Sequence, residues 1–121
     1  MYGNLYSYRA IITSVYDGDT CTATIDLGFG LSKVKVKLRL AGINAPEIRG
    51  GTKKSKIIAR ASRDYLKELI LNKEVILRTE KDKKGKYGRY IATIWVKLND
   101  GSYQCANDLL LIKGHAVKRN Y

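Results

Sequence analysis

Between Lys33 and Leu40 the chain alternates without a break. Val34, Val36, Leu38 and Leu40 share one parity, and Lys33, Lys35, Lys37 and Arg39 the other. Successive side chains of a strand point to opposite faces, so this period predicts a strand with one buried face and one wet, basic face. Thr20 to Ile25 repeats the pattern, with Thr20, Thr22 and Thr24 set against Cys21, Ala23 and Ile25. Before it, residues 8–16 are rich in β-formers (Ile11, Ile12, Val15, Tyr16) and stop at the turn signal Asp17-Gly18-Asp19. Asp26-Leu27-Gly28-Phe29-Gly30 separates the second strand from the third.

Gly42 to Lys54, with Pro46, Gly50 and Gly51, reads as a long loop. Ser55 is placed to cap a helix running to about Leu71, with Ile58, Ala61, Tyr65 and Leu69 as its apolar stripe. Strands follow at Glu74 to Glu80 and Tyr90 to Lys97, joined by a charged turn, Lys81 to Gly88. Asn99-Asp100-Gly101 is a tight turn. Asn107 is expected to cap a short helix, Asp108 to Lys113, that stops at Gly114. A helix after the third of five short strands predicts an α+β, mainly β chain. The expected fold is a five-stranded OB-type barrel with a short C-terminal helix, forming one domain over residues 1–121. Barrels of this type hold oligonucleotides across strands 2–3 and with the loops joining strands 1–2 and 4–5.

The 121 residues are 45% apolar, enough for one modest core. Lys and Arg number 23 against 11 Asp and Glu, a net charge of +12. So strong a positive field favours phosphate polymers as partners. A membrane partner is not expected. No apolar run approaches a span, and there is no polybasic tail beside an apolar anchor. Met1 to Tyr6 lacks the zones of a secretion signal, so a cytoplasmic location is expected. Cys21 and Cys105 form no C-x-x-C pair and read as buried thiols. His115 has no ligand-spaced neighbour, which argues against zinc and against a histidine triad. Asp64 and Glu68, beside Arg60, Arg63 and Lys67, read as a solvated, salt-bridged helix face.

Three segments carry residues suited to one site. Asp17-Gly18-Asp19-Thr20 is either a solvated turn or half of a hard-cation site, since such ions take several oxygen ligands. Asp19 shares the parity of Cys21, Ala23 and Ile25, which aims it at the barrel mouth. Arg39 to Glu47 ends the third strand. It offers a guanidinium fork, the side-chain oxygens of Asn44 and Glu47, and loop carbonyls. Glu47 stands alone among cations and is expected to be ionised and paired. Lys86-Tyr87-Gly88-Arg89 combines an aromatic ring for stacking with an arginine for a phosphate, or is simply a basic hairpin tip.

The runs VYDGDT, LRLAGINAPE and KYGR, in this order and spacing, resemble the staphylococcal nuclease (thermonuclease) family over roughly Tyr8 to Ala116. ATIDLGFG between the first two runs resembles the compact bacterial and phage versions. The resemblance implies a calcium-dependent endonuclease that acts on DNA and RNA and leaves 3′-phosphate ends. It implies Asp19 as a metal ligand with Asp17 in support, and Asn44 where many members carry a second Asp ligand. Ala45 would contribute its backbone carbonyl. Glu47 would act on the attacking water, and Arg39 and Arg89 would grip the phosphate. Nucleic-acid contacts are expected from Lys86, Tyr87, Lys53, Lys54 and Tyr121. Asn44 removes a negative charge, and the chain ends without the third helix of longer members. No obligate protein partner is expected. The alternative is a non-catalytic OB module that holds single strands, and a further one is a basic protein-interaction domain.

Overall fold

The computed structural model describes residues 5–47, 52–84 and 88–119. In chain order the elements are β1 (Ser7–Asp17), β2 (Thr20–Gly28), β3 (Leu31–Leu40), β4 (Ile43–Asn44) and helix α1 (Lys53–Ile70). They continue with β5 (Glu74–Lys84), β6 (Tyr90–Lys97), β7 (Tyr103–Cys105), α2 (Ala106–Ile112) and β8 (Val117–Lys118). Strands run β3-β2-β1-β5-β6, and a parallel β3–β6 pairing closes the ring. The result is the expected five-stranded barrel with two helices. β7 extends the sheet beyond β6, and β4 pairs with β8 in a separate two-stranded ribbon.

Ile12, Leu38, Leu40, Leu77 and Ile94 fill the barrel, capped by Leu66 and Ile70 of α1 and Leu110 of α2, all fully buried. Each such side chain contributes about 1.5–3 kcal/mol by leaving water. Cys21, Ala23 and Ile25 face inward as the alternation predicts. Both cysteines are free thiols. Burial pushes Cys21 up to about 12 and also raises Cys105, so neither offers a ready thiolate.

The structure corrects four readings of local pattern. β3 keeps its alternation only from Val36 onward. Ala23 pairs with Val36 but Ile25 with Lys33, so β3 carries one extra residue there, and Lys35 takes φ 54° at this bulge. Val34 is thereby turned outward, 63% exposed. On α1 the buried line is Ala59, Ser62, Leu66 and Ile70 rather than Ile58, Ala61, Tyr65 and Leu69. The small residues Ala59 and Ser62 let the helix approach the barrel closely, and Ile58 is left half exposed. Thr52 caps α1 instead of Ser55, its hydroxyl accepting the Ser55 N–H at 3.2 Å. Asn107 does not cap α2, which starts from Cys105 with no side-chain cap. Its buried side chain turns inward to the backbone of β6.

The exposed face of α1 is salt-bridged as expected. Asp64 is paired with Arg63 at 3.0 Å on an exposed face. His115 stacks on Tyr65, with ring centroids 4.7 Å apart. β5 runs to Lys84, four residues past the expected end. Among the described residues no helix is long and apolar enough to cross a membrane.

Candidate active site

Strand register accounts for the convergence of the first two segments. β2 and β3 pair so that Thr20 lies opposite Arg39, and the Leu40 N–H donates to the Asp19 carbonyl at 2.8 Å. The parallel β3–β6 ladder sets Leu38 against Tyr90 and Arg39 against Ile91. Arg89 immediately precedes that ladder and so arrives at the same end of the barrel. Its Nη1 donates to Thr20 Oγ1 at 3.3 Å. Thr20 in turn donates to Asp19 Oδ1 at 3.0 Å.

Asp19 and Arg39 form the centre. Both are buried, at 6% and 5% exposure, although the basic face of β3 was expected to be wet. Arg39 Nη2 lies 3.3 Å from Asp19 Oδ2, which also accepts the Ala45 N–H at 2.8 Å. The same guanidinium donates to the Leu40 carbonyl at 3.0 Å and to Asn44 Oδ1 at 3.2 Å. The fork is therefore held by three oxygens and its orientation is fixed before any ligand arrives. Asp17 is also buried.

Gly18 makes this packing possible. A Cβ there would lie 2.9 Å from the Cβ atoms of both Ala45 and Ser62. The turn between the two aspartates thus sits directly against the helix and the Ala45 loop. Gly18→Ala is expected to destabilise the fold by about 1–3 kcal/mol through overpacking. It should also displace Asp19, which urea denaturation paired with cleavage or strand-binding assays would reveal. An unchanged denaturation midpoint would contradict this reading.

Glu47, two residues beyond Ala45, is exposed, and among the described residues it has no ion-pair partner, contrary to expectation. Lys53 and Lys54 are exposed on the first turn of α1, which carries no acid. Neither bonds to the Asp19–Arg39 cluster. Lys86, Tyr87 and Tyr121 lie outside the described residues.

Sequence reasoning missed Arg119. β8 pairs with β4, placing Val117 opposite Asn44, and the Arg119 N–H donates to the Gly42 carbonyl at 2.9 Å. Arg119 Nη1 then lies 3.5 Å from Asn44 Oδ1, the oxygen that Arg39 also holds. Only the β4–β8 pairing could have revealed this, and both strands have just two residues. Two guanidiniums thus share one neutral amide oxygen.

The donors present suit a hard divalent cation in kind: two carboxylates, an amide oxygen and the Ala45 carbonyl. Among the described residues no three His, Cys, Asp or Glu side chains form a cluster. The carboxylate charge at this end therefore comes from Asp17 and Asp19, with Glu47 nearby in sequence.

The structure is thus a closed OB-type barrel that brings arginines from three separate segments to one end. The family model for staphylococcal nuclease homologues matches residues 37–121, and the chain belongs to that family. The match takes in Arg39, Asn44, Ala45, Glu47 and Arg89, whereas Asp17 and Asp19 precede it. No curated protein matches the chain.

Proposed function

We propose that this protein is a calcium-dependent endonuclease that hydrolyses phosphodiester bonds in DNA and RNA and leaves 3′-phosphate ends. The observation that carries the reading is the meeting of Arg39, Arg89 and Asp19, from distant parts of the chain, around Thr20 and Asn44. Family membership supports the nucleolytic class.

Asp19, supported by Asp17, Asn44 and the Ala45 carbonyl, would hold the cation. When bound, the ion would polarise a phosphoryl oxygen. Arg39 and Arg89 grip the non-bridging oxygens and offset the charge that grows on the five-coordinate phosphorus. Glu47, at the exposed end of the Ala45 loop, orients a water and takes its proton as the water oxygen attacks phosphorus. The P–O5′ bond breaks, the phosphate stays on the 3′ side, and the 5′ oxygen leaves as an alkoxide that takes a proton from solvent water, while Glu47 returns its proton to solvent. A carboxylate is a weak base, so position must compensate.

The test is incubation of plasmid and RNA with calcium or with chelator, for wild type and Glu47→Gln. Cleavage in calcium only, lowered at least about 100-fold by Glu47→Gln with strand affinity kept within a few-fold, is expected. Salt-sensitive binding without cleavage in either condition would move the chain to the non-catalytic OB module. The neutral Asn44 favours that second reading, since it lowers the charge available to a metal.

A further inference from the structure

The far end of the β2–β3 hairpin carries a feature that the catalytic end does not explain. Gly28 pairs with Leu31, leaving Phe29 and Gly30 as a two-residue turn. Their φ angles are 57° and 75°, following Gly28 at 80°. Two central residues with positive φ define the type I′ geometry, whose first position favours Asn, Asp or Gly. A phenylalanine there is strained. It is also 101% exposed, so its ring gains nothing from the core. Neither local conformation nor burial accounts for it, which points to a partner.

The same hairpin supplies a path to that ring. From Arg39 the outer face of β3 continues through Lys37, paired with Thr22, to the exposed bulge at Lys35. Thr20, Thr22 and Thr24 line the adjoining face of β2. Eight residue steps along β2 separate Thr20 from Gly28, about 26 Å at 3.3 Å per step. The acid nearest the turn, Asp26, accepts the Gly28 N–H at 2.8 Å and is thus turned toward its own loop. Arg39, Lys37 and Lys35 thus form a line of cations that leads from the candidate site toward the hairpin tip carrying the exposed ring.

We infer that single-stranded nucleic acid extends from the Arg39 end along the outer face of β2 and β3, and that a base stacks on Phe29. This rests on the reading of the Arg39 end as a nucleic-acid site. Cations along the backbone path and an aromatic platform for a base are the two elements of strand binding without sequence preference. A lipid surface suits the arrangement less well, because the lysines run away from the tip along the strand rather than ringing it.

The experiment compares affinities in chelator, so cleavage plays no part. The probes are a labelled single strand of about a dozen nucleotides, within the ~4–16 that OB folds hold, and a dinucleotide. Phe29→Asn suits the turn, so the fold should be at least as stable, and Phe29→Trp keeps a stacking face. Phe29→Asn should weaken the long strand at least about fivefold, with the dinucleotide unchanged and Phe29→Trp at wild-type strength. Equal affinity of Phe29→Asn and wild type for the long strand overturns the inference. So does Phe29-dependent sedimentation with phosphatidylserine vesicles without a loss of strand affinity. Phe29-dependent binding without cleavage in calcium would remove the nuclease reading alone. Cleavage with Phe29-independent binding would remove this inference alone.

Discussion

Arg39→Lys is expected to lower turnover about 10²–10³-fold, the usual consequence of losing a donor aimed at developing charge. Lysine keeps the positive charge but loses the planar fork. In the structure that fork reaches Asp19, Leu40 and Asn44 at once. A single ammonium cannot reproduce that set of contacts, so position is lost while charge remains. Arg39→Ala is a poorer probe, because it strands the buried Asp19 carboxylate. Breaking a buried pair in this way typically destabilises by about 3–5 kcal/mol, and lost activity would then report unfolding. Steady-state cleavage of a labelled oligonucleotide, beside urea denaturation of the same samples, separates the two effects. Turnover within threefold of wild type for a folded Arg39→Lys would remove Arg39 from the catalytic assignment.

Much of the barrel is legible in the chain because its strands have one wet face. Thr20 to Ile25 shows its inner and outer residues directly, and the inner ones are buried as read. The legibility ends where backbone geometry breaks the period. Nothing in the residue types at Lys33 to Val36 announces a bulge, yet the extra residue reverses Val34. On α1 the predicted stripe starts from Ile58, a large aliphatic side chain that the structure leaves half exposed. The face actually buried there is made of Ala59 and Ser62, chosen for smallness rather than hydrophobicity.

The candidate site divides similarly. Asp19, Arg39, Asn44 and Arg89 were identifiable from three runs, and strand register joins them by hydrogen bonds. Arg119 was not, because its place depends on a two-residue pairing between segments more than seventy positions apart. The burial of Arg39 was equally hidden. Its parity assigns it to the outer face, where Asp19 of the β1–β2 turn and Asn44 of β4 bond to its guanidinium.

Asn107→Leu is expected to cost about 2–5 kcal/mol of folding free energy, a large part of the ~5–15 kcal/mol available to such a domain. β3 leaves β6 after the Leu40–Ala92 pair, and β7 joins β6 only at Trp95. Asn107 fills the gap between them. Its Oδ1 accepts the Ile94 N–H at 3.1 Å, and its Nδ2 donates to the Ala41 carbonyl at 2.8 Å and to Ala92 at 3.3 Å. Leucine matches its size but leaves the buried Ile94 donor unmet, at about 1–3 kcal/mol, and also strips the part-buried Ala41 carbonyl of its donor. Urea denaturation should show a lower midpoint with an unchanged slope. A midpoint shift worth less than about 1 kcal/mol would show that water reaches these groups instead. The consequence extends to the site, because the same closure aligns Arg39 with the strand that Arg89 precedes. In conditions where Asn107→Leu remains folded, its turnover should fall more than its strand affinity, since the proposed catalysis requires the two guanidiniums to keep a fixed separation.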